Sequence, residues 1–162
     1  MKRFLKYALL AAMLIAVVVT ACSCGGNTGI HKPAADKELQ EITGSCSIEL
    51  LDENTLRVHG EANFVPETIF VVSIDSYNGE QLAKQVYTMN ENQRFVADFP
   101  IEDKRTGPIS ASIYVTPGED GNHPGTVDEV YGEKLQNVSG EHVYFNASGN
   151  IICITSEPIS EY

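Results

Sequence analysis

From residue 43 onward the chain runs in short apolar stretches cut by turn residues. In "TLRVHGEA", Leu56, Val58 and Ala62 alternate with Arg57, His59 and Glu61. A period of two sends the first set to one face of a strand and the charged set to the other. "CSIELL" precedes this stretch, and "TIFVVSID" follows it as a more uniformly apolar run that predicts a strand covered on both faces. "QLAKQVYTM" returns after "SYNGEQ", whose Asn78-Gly79 predicts a tight hairpin because both residues tolerate positive φ. "RFVADFPI" places Phe95, Ala97 and Phe99 on one face. "PISASIYVTP" turns Ile109, Ala111, Ile113 and Val115 inward, and "HVYFN" and "NIICIT" make a last hairpin around "ASG".

One segment has a helical period instead. Val127, Val130, Tyr131 and Leu135 share a helical face, and Thr126 with Glu129 fits a capping box. Gly132 inside it costs up to about 1 kcal/mol relative to alanine, so the helix is expected to be short. The pattern predicts an all-β fold: an antiparallel immunoglobulin-like or fibronectin-like sandwich of seven or eight strands, with one short helix near 126–136. A small open barrel is the alternative.

The N-terminus follows a different logic. Lys2, Arg3 and Lys6 precede an unbroken apolar run from Ala8 to Val19. Twelve residues are too few to span a bilayer, which takes about 20. A basic tip, a short apolar middle and small residues at its end form a secretory signal. At its boundary Val19-Thr20-Ala21-Cys22 resembles the bacterial lipobox. That resemblance implies that Cys22 receives a diacylglyceryl group and becomes the mature N-terminus. Cys24, preceded by Ser23, Cys22 and Ala21, fits the pattern less well. Residues 1–21 are therefore read as a cleaved signal, 22–42 as an acylated terminus and flexible tether, and 43–162 as the sandwich domain. Such a tether reaches about 25 Å, enough to clear lipid headgroups. Two acyl chains hold a protein on a membrane where one does so only marginally.

Cleavage at Cys22 would remove three of the eleven basic residues and none of the 22 acids. The resulting field repels phosphate backbones and anionic headgroups, so nucleic acid is not an expected partner. Expected partners are the membrane, through diacylglyceryl-cysteine, and a cell-envelope protein or cationic peptide.

The stretch "GEANFVPETIFVVSI" is similar to a G-x-T-N-L-P-D-G-T-x-L-x-V-x-L signature of small bacterial lipoproteins that carry an immunoglobulin- or fibronectin-like β-sandwich. "QRFVADF", "GPISASIYVTP" and "HPGTVDEVYGEKLQNVSG" resemble the downstream parts of the same group. The similarity runs from residue 54 to about 140. It implies a fold and an extracytoplasmic address, and brings no catalytic residues. At the turn, Val65-Pro66-Glu67 replaces Pro-Asp-Gly. Glu67 in place of glycine leads us to expect a different turn type.

Chemistry-bearing motifs are few. Cys46 on the first long strand and Cys153 on the last could form a disulfide, which the chain-entropy model values at about 4–5 kcal/mol for so long a loop. The alternative is two buried thiols. Cys22 and Cys24 could form a soft-metal pair, but acylation would consume the first. The four histidines lack zinc-site spacing. "TPGEDGNHPG" gathers Glu119, Asp120, Asn122 and His123 without the calcium-loop pattern. No metal site and no cofactor is expected. There is no G-x-S-x-G elbow and no phosphate loop. Asn137-Val138-Ser139 and Asn146-Ala147-Ser148 match the glycosylation acceptor by chance if the chain is bacterial.

The sequence thus points to a lipid-anchored extracytoplasmic lipoprotein displaying a binding or accessory module, without catalysis. It would sit in the outer membrane if the cell has two. The candidate binding loops, expected at one sandwich end, are Tyr77 and Asn78 together with Glu119, Asp120, Asn122 and His123. The rival reading is an envelope hydrolase acting on peptidoglycan or other envelope substrates, which needs convergent acids in a cleft.

Overall fold

A computed structural model describes residues 37–100, 107–118 and 123–160. The signal, Cys22, Cys24, most of the tether, and the loop residues Glu119, Asp120 and Asn122 lie outside the described residues. Within them the order is β1 (Gln40–Glu41), β2 (Gly44–Asp52), β3 (Thr55–Ala62), β4 (Ile69–Ser76), β5 (Gln81–Thr88) and β6 (Arg94–Pro100). Then come β7 (Ile109–Val115), helix α1 (Gly125–Tyr131), β8 (Val138–Ser139), β9 (Val143–Asn146) and β10 (Gly149–Thr155). The eight longer strands fall on the eight stretches read as strands, at the upper end of the seven or eight expected. Two short parallel pieces, β1 and β8, add to them.

A three-stranded sheet, β2-β3-β6, packs on a five-stranded one, β5-β4-β7-β10-β9, and both are antiparallel throughout. This is an all-β sandwich. Its core is built from the inward set of each strand: Leu56, Val58 and Ala62 from β3, Ala97 and Phe99 from β6, and Ile109, Ala111, Ile113 and Val115 from β7. Phe70 to Ile74 of β4 are all buried, as a strand covered on both faces should be. Phe64, Phe70, Tyr87 and Phe95 form an aromatic group between β4, β5 and β6, with Phe70 and Phe95 centroids 4.8 Å apart.

Four local expectations change. Ile42, read as the end of the tether, is buried, and its N–H donates to Ser139 O at 2.8 Å. The folded unit therefore begins before residue 43. In the β4–β5 hairpin only Gly79 takes positive φ (78°), while its N–H closes the turn on Ser76 O. A turn followed by one left-handed glycine matches the strand twist as well as a two-residue primed turn does. Glu67 has φ 70°, the conformation that suits a glycine. Pro66 precedes it, and Thr68 N–H donates to Val65 O, so the turn keeps the geometry that the glycine of the signature would favour. Finally, no side chain caps α1. Thr126 Oγ1 donates instead to Glu67 Oε2 at 2.9 Å, from the helix to that turn. The helix ends at Tyr131, where Gly132 turns to φ 80°.

Candidate binding groove

The outer face of the three-stranded sheet carries a ladder of polar side chains set by register. Ser45, Glu61 and Arg94 stand in one row, Ser47, His59 and Val96 in the next, and Glu49, Arg57 and Asp98 in a third. Opposite residues on one face of a pair lie about 5 Å apart, close enough to pair across strands. Arg94 Nε reaches Glu61 Oε2 at 2.9 Å, and His59 Nε2 lies 2.9 Å from Glu49 Oε1. Arg57 donates twice to Asp98, both bonds at 2.7 Å. That fork holds the Asp98 carboxyl below the usual carboxylate range.

An open groove of about 560 Å³ runs over this face toward the end of β5. Ser45, Ser47, His59 and Glu61 line one side, and Tyr87, Thr88 and Asn90 the other, with Arg94 and Val96 of β6 across the middle. β6 is the edge strand here. Gln93 O accepts from Ala62 N–H toward β3, so by the alternation of an antiparallel ladder Arg94, Val96 and Asp98 turn their main-chain groups to the free edge. Two of those carbonyls are taken by side chains: Asn90 Nδ2 donates to Arg94 O at 3.2 Å, and Gln85 Nε2 to Asp98 O at 3.4 Å. Tyr87 Oη donates to Gln85 Oε1 at 2.6 Å, and burial pushes the phenol's pKa up.

Of the loop residues singled out in the sequence, the three that the structure describes, Tyr77, Asn78 and His123, do not come together. Tyr77 and Asn78 sit at the end of β4, beside Pro108, whose carbonyl accepts from Tyr77 N–H. His123 packs at the opposite end, where its Nδ1 accepts from Ile69 N–H, the first residue of β4, at 3.2 Å. A separate cleft of about 370 Å³ adjoins it, lined by Asp128, Glu133, Lys134 and Ser148 among others. With Nδ1 accepting, a neutral His123 carries its proton on Nε2, which is buried and makes no well-formed hydrogen bond, although the Thr116 carbonyl lies near the ring. No group of three metal-binding side chains occurs among the described residues.

Cys46 and Cys153 are both free thiols in the structure. Cys46 packs against the core between the sheets. Cys153 lies between the buried Ile152 and Ile154, opposite the half-buried Tyr114, and so faces outward from the five-stranded sheet. Burial, and then the neighbouring Cys153, pushes the Cys46 thiol up to about 12.

The groove escaped the sequence reading because most of its polar residues had an ordinary role as the outward half of a strand, and the others belong to the core or to a turn. Only register brings Ser47, His59 and Val96 into one row. No helix of the described residues is long and apolar enough to cross a membrane. No family model, curated protein or solved structure matches the chain.

Proposed function

We propose that this chain is a lipid-anchored extracytoplasmic lipoprotein whose sandwich serves as a binding module. The carrying observation is Val19-Thr20-Ala21-Cys22 at the end of a twelve-residue apolar run with a basic tip. A folded unit that begins near Gln40 leaves a tether between Cys22 and the first strand, in keeping with display away from a surface. The groove over β3 and β6 is an open depression of mixed apolar and polar lining, the kind of surface where small-molecule sites concentrate.

The sandwich itself is read as immunoglobulin-like. Strands β2, β3 and β6 take the places of A, B and E, and β4, β7 and β10 those of C, F and G, while β5 beside β4 takes the place of C′. This reading rests on strand order alone, since the chain has no tryptophan.

Radiolabelled palmitate tests the anchor. Label should enter the wild type and Cys24→Ser, and be absent from Cys22→Ser. Label retained in Cys22→Ser and lost in Cys24→Ser would move the anchor to Cys24.

A further inference from the structure

The chemistry of the β6 groove discriminates among ligand classes, and the inference drawn from it rests on the reading of the domain as a binding module. Its polar side chains are paired across strands at the surface, Arg94 with Glu61 and His59 with Glu49. A phosphate or carboxylate finds no uncommitted cation in the lining, and a chain of net charge −11 repels anions on approach. A cationic peptide likewise finds the lining acid neutralised. Strand addition along β6 would have to displace the side-chain amides of Asn90 and Gln85 from the carbonyls of Arg94 and Asp98 on either side of Val96.

What the groove does offer is local and uncharged. Ser45, Ser47 and Thr88 present hydroxyls, each both donor and acceptor. The Val96 main chain adds one N–H and one C=O, and its isopropyl group, 54% exposed, forms an apolar spot among them. A ligand that matches this pattern carries donors and acceptors around its rim and a C–H face on its flat side.

We infer that the groove binds a neutral saccharide, with a ring seated over Val96 and its hydroxyls directed to Ser47 and Thr88. An amide or hydroxyl substituent pairs with the Val96 main chain. The volume of about 560 Å³ lies within the range of about 300–1,000 Å³ usual for small-molecule sites.

The test titrates the full chain, held in a zwitterionic detergent free of sugar, with chitotriose, maltotriose and cellotriose. Calorimetry reads affinity and amide chemical shifts read position. At least one trisaccharide should bind with a Kd of about 1 mM or tighter and move the amides of Ser47, His59 and Val96. Val96→Asp sets a charge beneath the ring and should weaken binding at least about tenfold while leaving the circular dichroism spectrum unchanged. Absence of binding by all three sugars, or binding indifferent to Val96→Asp, overturns the inference. A neutral extended hexapeptide is the comparison ligand. If it alone shifts the groove amides, the saccharide is wrong and the binding module stands; if neither class does, the groove is no binding site.

Discussion

His123 ties the entry to α1 onto the first residue of β4, and the bond it makes exists only while the ring is neutral. Nδ1 accepts from Ile69 N–H at 3.2 Å, so a proton added there removes the acceptor and turns an attraction into two opposed donors. Burial lowers the pKa of this imidazole below its ordinary value, and the Asp128 carboxylate and the Thr116 carbonyl only partly offset that. The unfolded chain therefore takes up the proton first. The stabilisation is complete above about pH 6.5, the unfolded value, and is lost as the pH falls below it, until the folded ring titrates as well. The slope cannot exceed about 1.4 kcal/mol per pH unit for one group.

The perturbation is His123→Phe, which keeps a ring in the same space and removes the acceptor. At pH 7.5 it leaves the Ile69 N–H without a partner, at a cost of about 1–3 kcal/mol. Between pH 7.5 and 5.5 the wild type should lose up to about 1.4 kcal/mol that the variant, lacking the group, does not lose. Urea unfolding followed by far-ultraviolet circular dichroism suits a chain without tryptophan. His59 and His142 remain in both proteins, so the difference between the two pH profiles belongs to position 123. Parallel profiles would mean that the ring is not held as a neutral acceptor, and the reasoning from the Ile69 bond would fail.

Iodoacetamide should alkylate Cys153 in the folded chain and spare Cys46, whose half-buried thiol faces the core and is pushed up to about 12, until urea is added. A peptide joining the two cysteines under non-reducing conditions would refute their placement on different faces. Gly60→Ala sets a Cβ within 2.1 Å of the Phe95 ring, which is packed against Phe70 and Tyr87 and has little room to move. Overpacking of this kind costs about 1–3 kcal/mol; an unchanged melting temperature would show that the ring yields freely.

Alternation carried most of the fold into view, because its cause is local. Leu56, Val58 and Ala62 are spaced for one face whatever the partner strand, and all three are buried. Where the deciding contact is distant, the chain's own pattern misleads. Thr126 and Glu129 have the spacing of a capping box, yet the threonine hydroxyl goes to Glu67, 59 residues away. Glu67 in turn holds a backbone conformation costly for a side chain, of the order of 1 kcal/mol. Met89 O accepts from its N–H at 2.9 Å, and Thr68 O accepts from Met89 N–H at 2.8 Å, so the turn is fixed from both sides. The groove belongs to the same class. Ser47 and His59 are twelve positions apart and Val96 is 37 further on, and none carries a motif. They meet because β2 and β6 both pair with β3 in one register, and a slip of a single residue would send all three to the other face. The inward set of Leu56, Val58 and Ala97 holds that register in place. The hydrophobic pattern that made the strands legible therefore also assembles the groove, and a change in those core residues would alter the groove without touching its surface.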